Sequence, residues 1–142
     1  MEDQYLIDNA IDAMTNLSYA PYSKFKVGAA LLTKDGKVFL GANVENAAYG
    51  CSMCAERNAL YNAYMHGVQR EDIEALAIVA DSPRPVSPCG QCRQVLSELF
   101  PEDKKIILAN LDGDVKVTNI DELLPYSFNE SDMDKWRVAL LP

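Results

Sequence analysis

Residues 74–99 read EALAIVADSPRPVSPCGQCRQVLSEL. Residues 74–80 (EALAIVA), apolar without interruption after Glu74, have the pattern of a buried strand. Pro83, Pro85 and Pro88 then exclude regular structure from the loop that follows. From about Gly90 to Leu99 the apolar positions Val95, Leu96 and Leu99 recur at helical spacing. A strand, a stiff loop and a helix in direct succession predict a sheet with helices packed on it. Cys89 and Cys92 fall at the start of this helix.

The flanking sequence extends the pattern. A second helix is expected from near Cys54 to His66-Gly67, where Gly suits the position just past a helix end. Residues 26–33 and 37–42 are apolar strand candidates joined by Lys34-Asp35-Gly36-Lys37, whose Asp-Gly is a hairpin signal. Residues 4–17 carry Leu6, Ile7, Ala10, Ile11, Met14 and Leu17 on one helical face, and Pro21 closes that region. Strands at 105–109 and 114–118 flank Asp112-Gly113, and short helical segments near 119–124 and 130–136 follow. The interleaving predicts one domain over residues 1–142, an α/β fold whose mixed sheet is covered by helices on both faces.

The chain has 142 residues, and at this size folding removes about 68% of the unfolded surface from water. A core can therefore form without disulfides. Thirteen basic against twenty-one acidic residues give a net charge of −8. Without a basic run, such a chain is a poor partner for nucleic acid or an anionic membrane. The N-terminus lacks a basic segment followed by an apolar one, and no run of about eighteen apolar residues occurs. A cytoplasmic location and reduced thiols are expected, so Cys-x-x-Cys units point to metal or redox chemistry.

Four cysteines stand at 51, 54, 89 and 92, beside a single histidine, His66. Three readings compete. The first is a structural four-cysteine zinc site. The 34 residues (55–88) between the pairs exceed the roughly 15–20 of a compact zinc ribbon. The second is a redox Cys89-Gly90-Gln91-Cys92 motif, which leaves Cys54 without a role. The third is a catalytic zinc held by Cys54, Cys89 and Cys92, with one open position. Glu56, within the same first helical turn as Cys54, can then act on a water without ligating the metal. Cys-x-Glu followed by Pro-Cys-x-x-Cys is the pattern of zinc deaminases in a three-cysteine form. Cys51 discriminates between these readings, since a fourth thiolate would exclude the water. Three thiolates on Zn²⁺ sum to −1, so positive groups should compensate. Two helix N-termini and Arg57 are candidates, whereas Arg93 has no better claim than a solvated side chain.

The chain resembles the small homotetrameric cytidine deaminases over nearly its full length. The resemblance rests on Tyr19-Ala20-Pro21-Tyr22-Ser23 through Lys26-Val27-Gly28-Ala29-Ala30, and on Gly41-Ala42-Asn43-Val44-Glu45-Asn46-Ala47-Ala48-Tyr49. It continues in Cys54-Ala55-Glu56-Arg57, Ser87-Pro88-Cys89-Gly90-Gln91-Cys92-Arg93-Gln94-Val95 and Glu122-Leu123-Leu124-Pro125. It implies a three-layer α/β/α fold with a five-stranded mixed sheet, and one Zn²⁺ per chain on Cys54, Cys89 and Cys92. Glu56 becomes the proton shuttle. Asn43 and Glu45 match residues that hold the ribose 3′-hydroxyl, and Phe25 matches an aromatic packed on the pyrimidine. The Ala55 N–H and the Ser87 carbonyl match contacts to the base O2 and amino group. Phe128 resembles a C-terminal aromatic that reaches a neighbouring subunit's site in a homotetramer, and Tyr49 sits where subunits meet.

The implied reaction is hydrolytic deamination of cytidine and deoxycytidine by a zinc-activated water, in pyrimidine salvage. The acidic chain has no basic cluster for phosphate, which favours nucleosides over nucleotides. Two other readings remain open at this stage: a zinc-stabilised binding module without turnover, and a deaminase of another aminopyrimidine nucleoside.

Overall fold

The computed structural model describes residues 2–134. Its elements run α1 (Asp3–Leu17), β1 (Val27–Thr33), β2 (Val38–Ala42), α2 (Ala55–Met65), β3 (Ile73–Ala80), α3 (Gly90–Leu99), β4 (Lys105–Asn110), β5 (Val115–Thr118) and α4 (Ile120–Leu123). A 3₁₀ turn occupies Glu130–Met133; positions 135 and 136 of the last expected helical segment lie outside the described residues.

The strands form one sheet in the order β2-β1-β3-β4-β5. β3 and β4 are parallel, joined through α3, and the other neighbouring pairs are antiparallel. This is the expected mixed five-stranded sheet. The Asp35-Gly36 turn closes the β1–β2 hairpin with Gly36 at φ 90°, a left-handed conformation that costs glycine little. Gly67, just past α2, has φ 89° and ends that helix as expected.

Alternation along the strands divides the core in two. Ala30, Leu32, Ala75, Ala77, Val79, Ile107 and Ala109 pack with Leu6, Ile7 and Ala10 of α1. Ala29, Leu31, Leu76, Ile78, Ile106 and Leu108 pack on the other face with Ala59, Leu60 and Ala63 of α2 and with Leu96 of α3. The order of layers is therefore α/β/α. From Ala75 onward β3 is buried on both faces, which is why that part of its sequence is continuously apolar rather than alternating.

Two glycines set the distance between layers. A Cβ on Gly28 would lie 1.9 Å from Ala10 O, and one on Gly41 would lie 2.2 Å from Ala59 N and 2.4 Å from Ala55 O. Gly28 thus seats α1 on β1, and Gly41 seats α2 on the edge strand β2. Asn58 Nδ2 and Asn62 Nδ2 then donate to the Ala42 and Leu40 carbonyls at 2.8 and 3.2 Å. Each such bond contributes about 1 kcal/mol and caps part of an edge that would otherwise face water.

Because α2 carries its first turn over Gly41, the two glycines separate stability from site geometry. Overpacking at either position costs about 1–3 kcal/mol. Gly28→Ala should lower the melting temperature while leaving zinc content intact. Gly41→Ala should lower both, since α2 must move. Equal zinc retention in the two variants, measured beside their melts, would refute this placement of α2.

Candidate active site

The chemistry gathers at one end of the sheet, where β2 and β3 finish and β1 begins. Register pairs Val27 with Ala80 and Gly28 with Ala42, so these three strand ends lie together. α2 and α3 both start there. Ligand sites in α/β sheets commonly lie beyond strand carboxyl ends.

Cys54 is the N-cap of α2 and Cys89 the N-cap of α3, and neither makes a side-chain capping hydrogen bond. N-cap positions usually hold Ser, Thr, Asp or Asn, whose oxygens accept from the first turn. Here the sulfurs are turned toward each other instead. Cys92 lies in the first turn of α3 and is buried. Cys54 Sγ is 3.9 Å from Cys89 Sγ, which is 3.3 Å from Cys92 Sγ, and all three sulfurs lie within 4.8 Å of one another. Three thiolates about 2.3 Å from a tetrahedral zinc stand about 3.8 Å apart, so the donor set fits that ion. Cys51 is exposed, in the 3₁₀ turn Tyr49–Cys51, and is not part of this group. The four-thiol alternative therefore lacks its fourth donor.

The protonation pattern follows from the neighbours. Hydrogen bonding from Cys92 lowers the Cys54 thiol to about 5, against the effect of burial, and Arg57 Nη2, 3.6 Å away, adds to the shift. Cys92 moves in the opposite direction: Cys54 holds its proton in place, and burial and the Glu56 charge reinforce this. Metal binding must displace the remaining thiol protons. Glu56 is only 4% exposed and accepts from Cys92 Sγ at 2.8 Å. Burial is the main cause that raises its carboxyl to about 7. A carboxyl that is neither firmly charged nor firmly neutral near pH 7 is suited to accept and return protons. Arg57 Nη2 points at the Cys54 sulfur, while its Nε is buried without a hydrogen-bond partner among the described residues.

A cavity of about 640 Å³ opens over this group. Its lining brings together Phe25, Asn43, Glu45, Ala55, Ser87 and Glu56, as the sequence suggested. Asn43 is held in place by Nδ2 donating to Phe25 O at 2.7 Å and Oδ1 accepting from Val27 N–H at 2.9 Å. Val44 forms isolated bridges to Tyr19 and Met53, which ties the segment after β2 to loops on both sides. Tyr49 also lines the cavity and meets Tyr22 edge-on, with centroids 6.4 Å apart.

Phe128 is not in this cavity. It is 58% exposed, and its carbonyl accepts from Gln94 Nε2 at 2.9 Å. Arg93 differs from the sequence expectation of a solvated side chain. Its Nε donates to Pro88 O at 2.9 Å, Nη1 to Leu123 O at 2.6 Å and Nη2 to Ser87 Oγ at 2.5 Å. It clasps the Ser87-Pro88 loop to the C-terminal end of α4. No local signal distinguishes such an arginine, because all three acceptors are neutral oxygens brought near it only by folding. His66 caps the end of α2, with Nδ1 2.8 Å from Asn62 O and its ring against Phe39, far from metal chemistry.

Fold and site together define a class: an α/β zinc enzyme with three thiol donors and a buried carboxyl beside them. Residues 1–109 match the family model for the cytidine and deoxycytidylate deaminase zinc-binding region. The chain is 54% identical over 134 residues to the cytidine deaminase of Halalkalibacterium halodurans, across 94% of this chain and 99% of that protein. It is 39% identical over 120 residues to that of Mycobacterium tuberculosis, across 84% and 85%. The crystal structure of cytidine deaminase from Burkholderia pseudomallei superposes with a TM-score of 0.87 at 49% identity, over 90% of this chain and all of that one. The chain belongs to the cytidine and deoxycytidylate deaminase family.

The geometry separates the four cysteines. Cys51→Ser should retain one zinc per chain, whereas Cys54→Ala should lose it on dialysis. Elemental analysis decides: zinc loss in the Cys51 variant, or full retention in the Cys54 variant, contradicts the three-thiol set.

Proposed function

We propose that the protein hydrolyses cytidine and deoxycytidine to uridine and deoxyuridine with release of ammonia. The observation that carries this reading is Glu56, buried against the three-thiol group and facing the cavity. Cys54, Cys89 and Cys92 hold the zinc, which when bound lowers the pKa of a water toward about 7 and so supplies the nucleophile.

The remaining work falls to the chain. Glu56 takes the proton of the attacking water and delivers it to N3 of the base, which makes C4 electrophilic. After attack at C4, it carries a proton to the exocyclic amine, and ammonia leaves. Water enters and ammonia departs, with the carboxylate regenerated. The Ala55 N–H suits a contact to the base O2, because the first residue of a helix has no intrahelical acceptor for it. The Ser87 carbonyl receives the amino group, Phe25 packs on the ring, and Asn43 with Glu45 holds the 3′-hydroxyl. Arg57 offsets the thiolate charge.

Only Arg57 is basic among the lining residues, and it is engaged with Cys54. Among the described residues that line the cavity, a 5′-phosphate would find no free cation. Nucleosides are therefore the substrates, and nucleic acid is disfavoured. Phe128, outside its own chain's cavity, completes the site of a neighbouring copy, which makes the working form a homotetramer with shared sites. Free thiols in the metal group suit a reducing cytoplasm. No helix of the described residues is long and apolar enough to cross a membrane.

Glu56→Gln should keep zinc and lose turnover by roughly 10³-fold or more. Activity near that of the unmodified protein, followed by the fall in cytidine absorbance and by ammonia release, would overturn the assignment. Cytidine and deoxycytidine should react at similar rates, with kcat/KM for the 5′-monophosphate at least about a hundredfold lower.

A further inference from the structure

We propose that Ser23 is a positioning residue that couples sugar recognition to base packing, through one hydroxyl shared by Glu45 and Phe25. The inference rests on the substrate reading above.

Glu45 is gripped at both oxygens. Oε1 accepts from the Tyr22 and Ser23 N–H groups, each at 3.1 Å, and Oε2 accepts from Ser23 Oγ. A carboxylate offers about four acceptor positions, so these bonds leave about one for a ligand hydroxyl and set its direction. Hydrogen bonding from the Ser23 hydroxyl and N–H holds the Glu45 carboxyl below its ordinary value, so the acceptor stays charged. The same hydroxyl oxygen accepts the Phe25 N–H at 3.0 Å. Serine gives its one hydrogen to Glu45 and a lone pair to Phe25, which few other side chains can do at once.

Phe25 depends on this arrangement. Its N–H goes to Ser23 and its carbonyl to Asn43 Nδ2, so side chains hold both of its main-chain polar groups. Lys24, between the two, has φ 62°, a left-handed conformation disfavoured for lysine. Its N–H closes the turn onto Ala20 O at 3.1 Å. Ser23, Lys24 and Phe25 are all exposed and absent from both core clusters, so the turn contributes little to the packed interior. Its side-chain hydrogen bonds link the two residues assigned to the sugar to the main chain of the residue whose ring is assigned to the base.

The test compares kcat and KM for cytidine and 3′-deoxycytidine in the zinc-loaded wild type, Ser23→Ala and Ser23→Thr. Loss of a hydrogen bond to a charged group should raise the Ser23→Ala KM for cytidine about tenfold, with a smaller change in kcat. For 3′-deoxycytidine the rise should be about threefold or less, so discrimination in favour of the 3′-hydroxyl shrinks. Ser23→Thr, which keeps the hydroxyl, should restore it. Melting temperature and zinc content should match the wild type in both variants. An unchanged discrimination ratio in folded Ser23→Ala would overturn the inference, as would a loss shared equally by both substrates. A Ser23→Ala chain that fails to fold would contradict the non-structural role argued here, and a Ser23→Thr chain that folds yet lacks discrimination would overturn the shared-hydroxyl account. A wild type inactive on cytidine would defeat the substrate reading itself, whereas an active wild type with an indifferent Ser23→Ala defeats only this step.

Discussion

The structure depends on bringing three thiols to one point while they repel one another as they ionise. Like charges within 4.8 Å are tolerated only where positive potential is already in place. Two helix N-termini supply it, because Cys54 and Cys89 are the N-cap residues of α2 and α3 and sit against the positive ends of both macrodipoles. Arg57 adds a full charge at 3.6 Å from Cys54 Sγ. This arrangement requires both helices to begin at the same end of the sheet. The topology ensures that, since α2 follows β2, α3 follows β3, and the ends of those strands lie close together across β1.

The helices must also be held to the sheet at the correct height. Gly41 brings α2 close enough for Asn58 and Asn62 to bond to the β2 edge. α3 is anchored by Leu96 in the core and by Arg93, which grips the loop before it and the end of α4. The rigid metal end is thus built from helices and strands. The substrate end is built from loops that side chains organise: Asn43 and Glu45 hold the turn carrying Phe25. Catalytic precision and ligand access thereby come from different parts of the chain. The buried Glu56 belongs to the first part, where exclusion of water is what raises its carboxyl to about 7.

Much of this was legible in local sequence because the responsible forces are local. The continuous apolar run of β3, the Asp35-Gly36 turn and Gly67 after α2 each reflect backbone preference or burial within a few residues. The elements up to α4 lie within a residue or two of their predicted bounds. The metal group was legible in part: thiols and a carboxyl at helix starts pointed to metal or redox chemistry, and the family resemblance chose among the readings. Arg93, by contrast, looked like a solvated charge. Ser23 stood in a stretch that carries the resemblance, with no role of its own. Arg93 depends on partners 5 to 30 positions away, and Ser23 on Glu45, 22 positions away.

The sequence alone therefore determined the α/β layering, the hairpin, the helix starts and the chemical identity of the thiol and carboxyl groups. These follow from periodicity, turn chemistry and residue type. Only the tertiary structure decided which three of four cysteines converge, because Cys51 is excluded by its place in an exposed turn and not by type. It also decided that Asn43 and Glu45 hold a turn as well as face a cavity, and that Phe128 lies away from its own chain's site. Such facts depend on distances between segments remote in sequence, set by how closely glycines let the layers approach and by which polar atoms lack partners until the loops close over them.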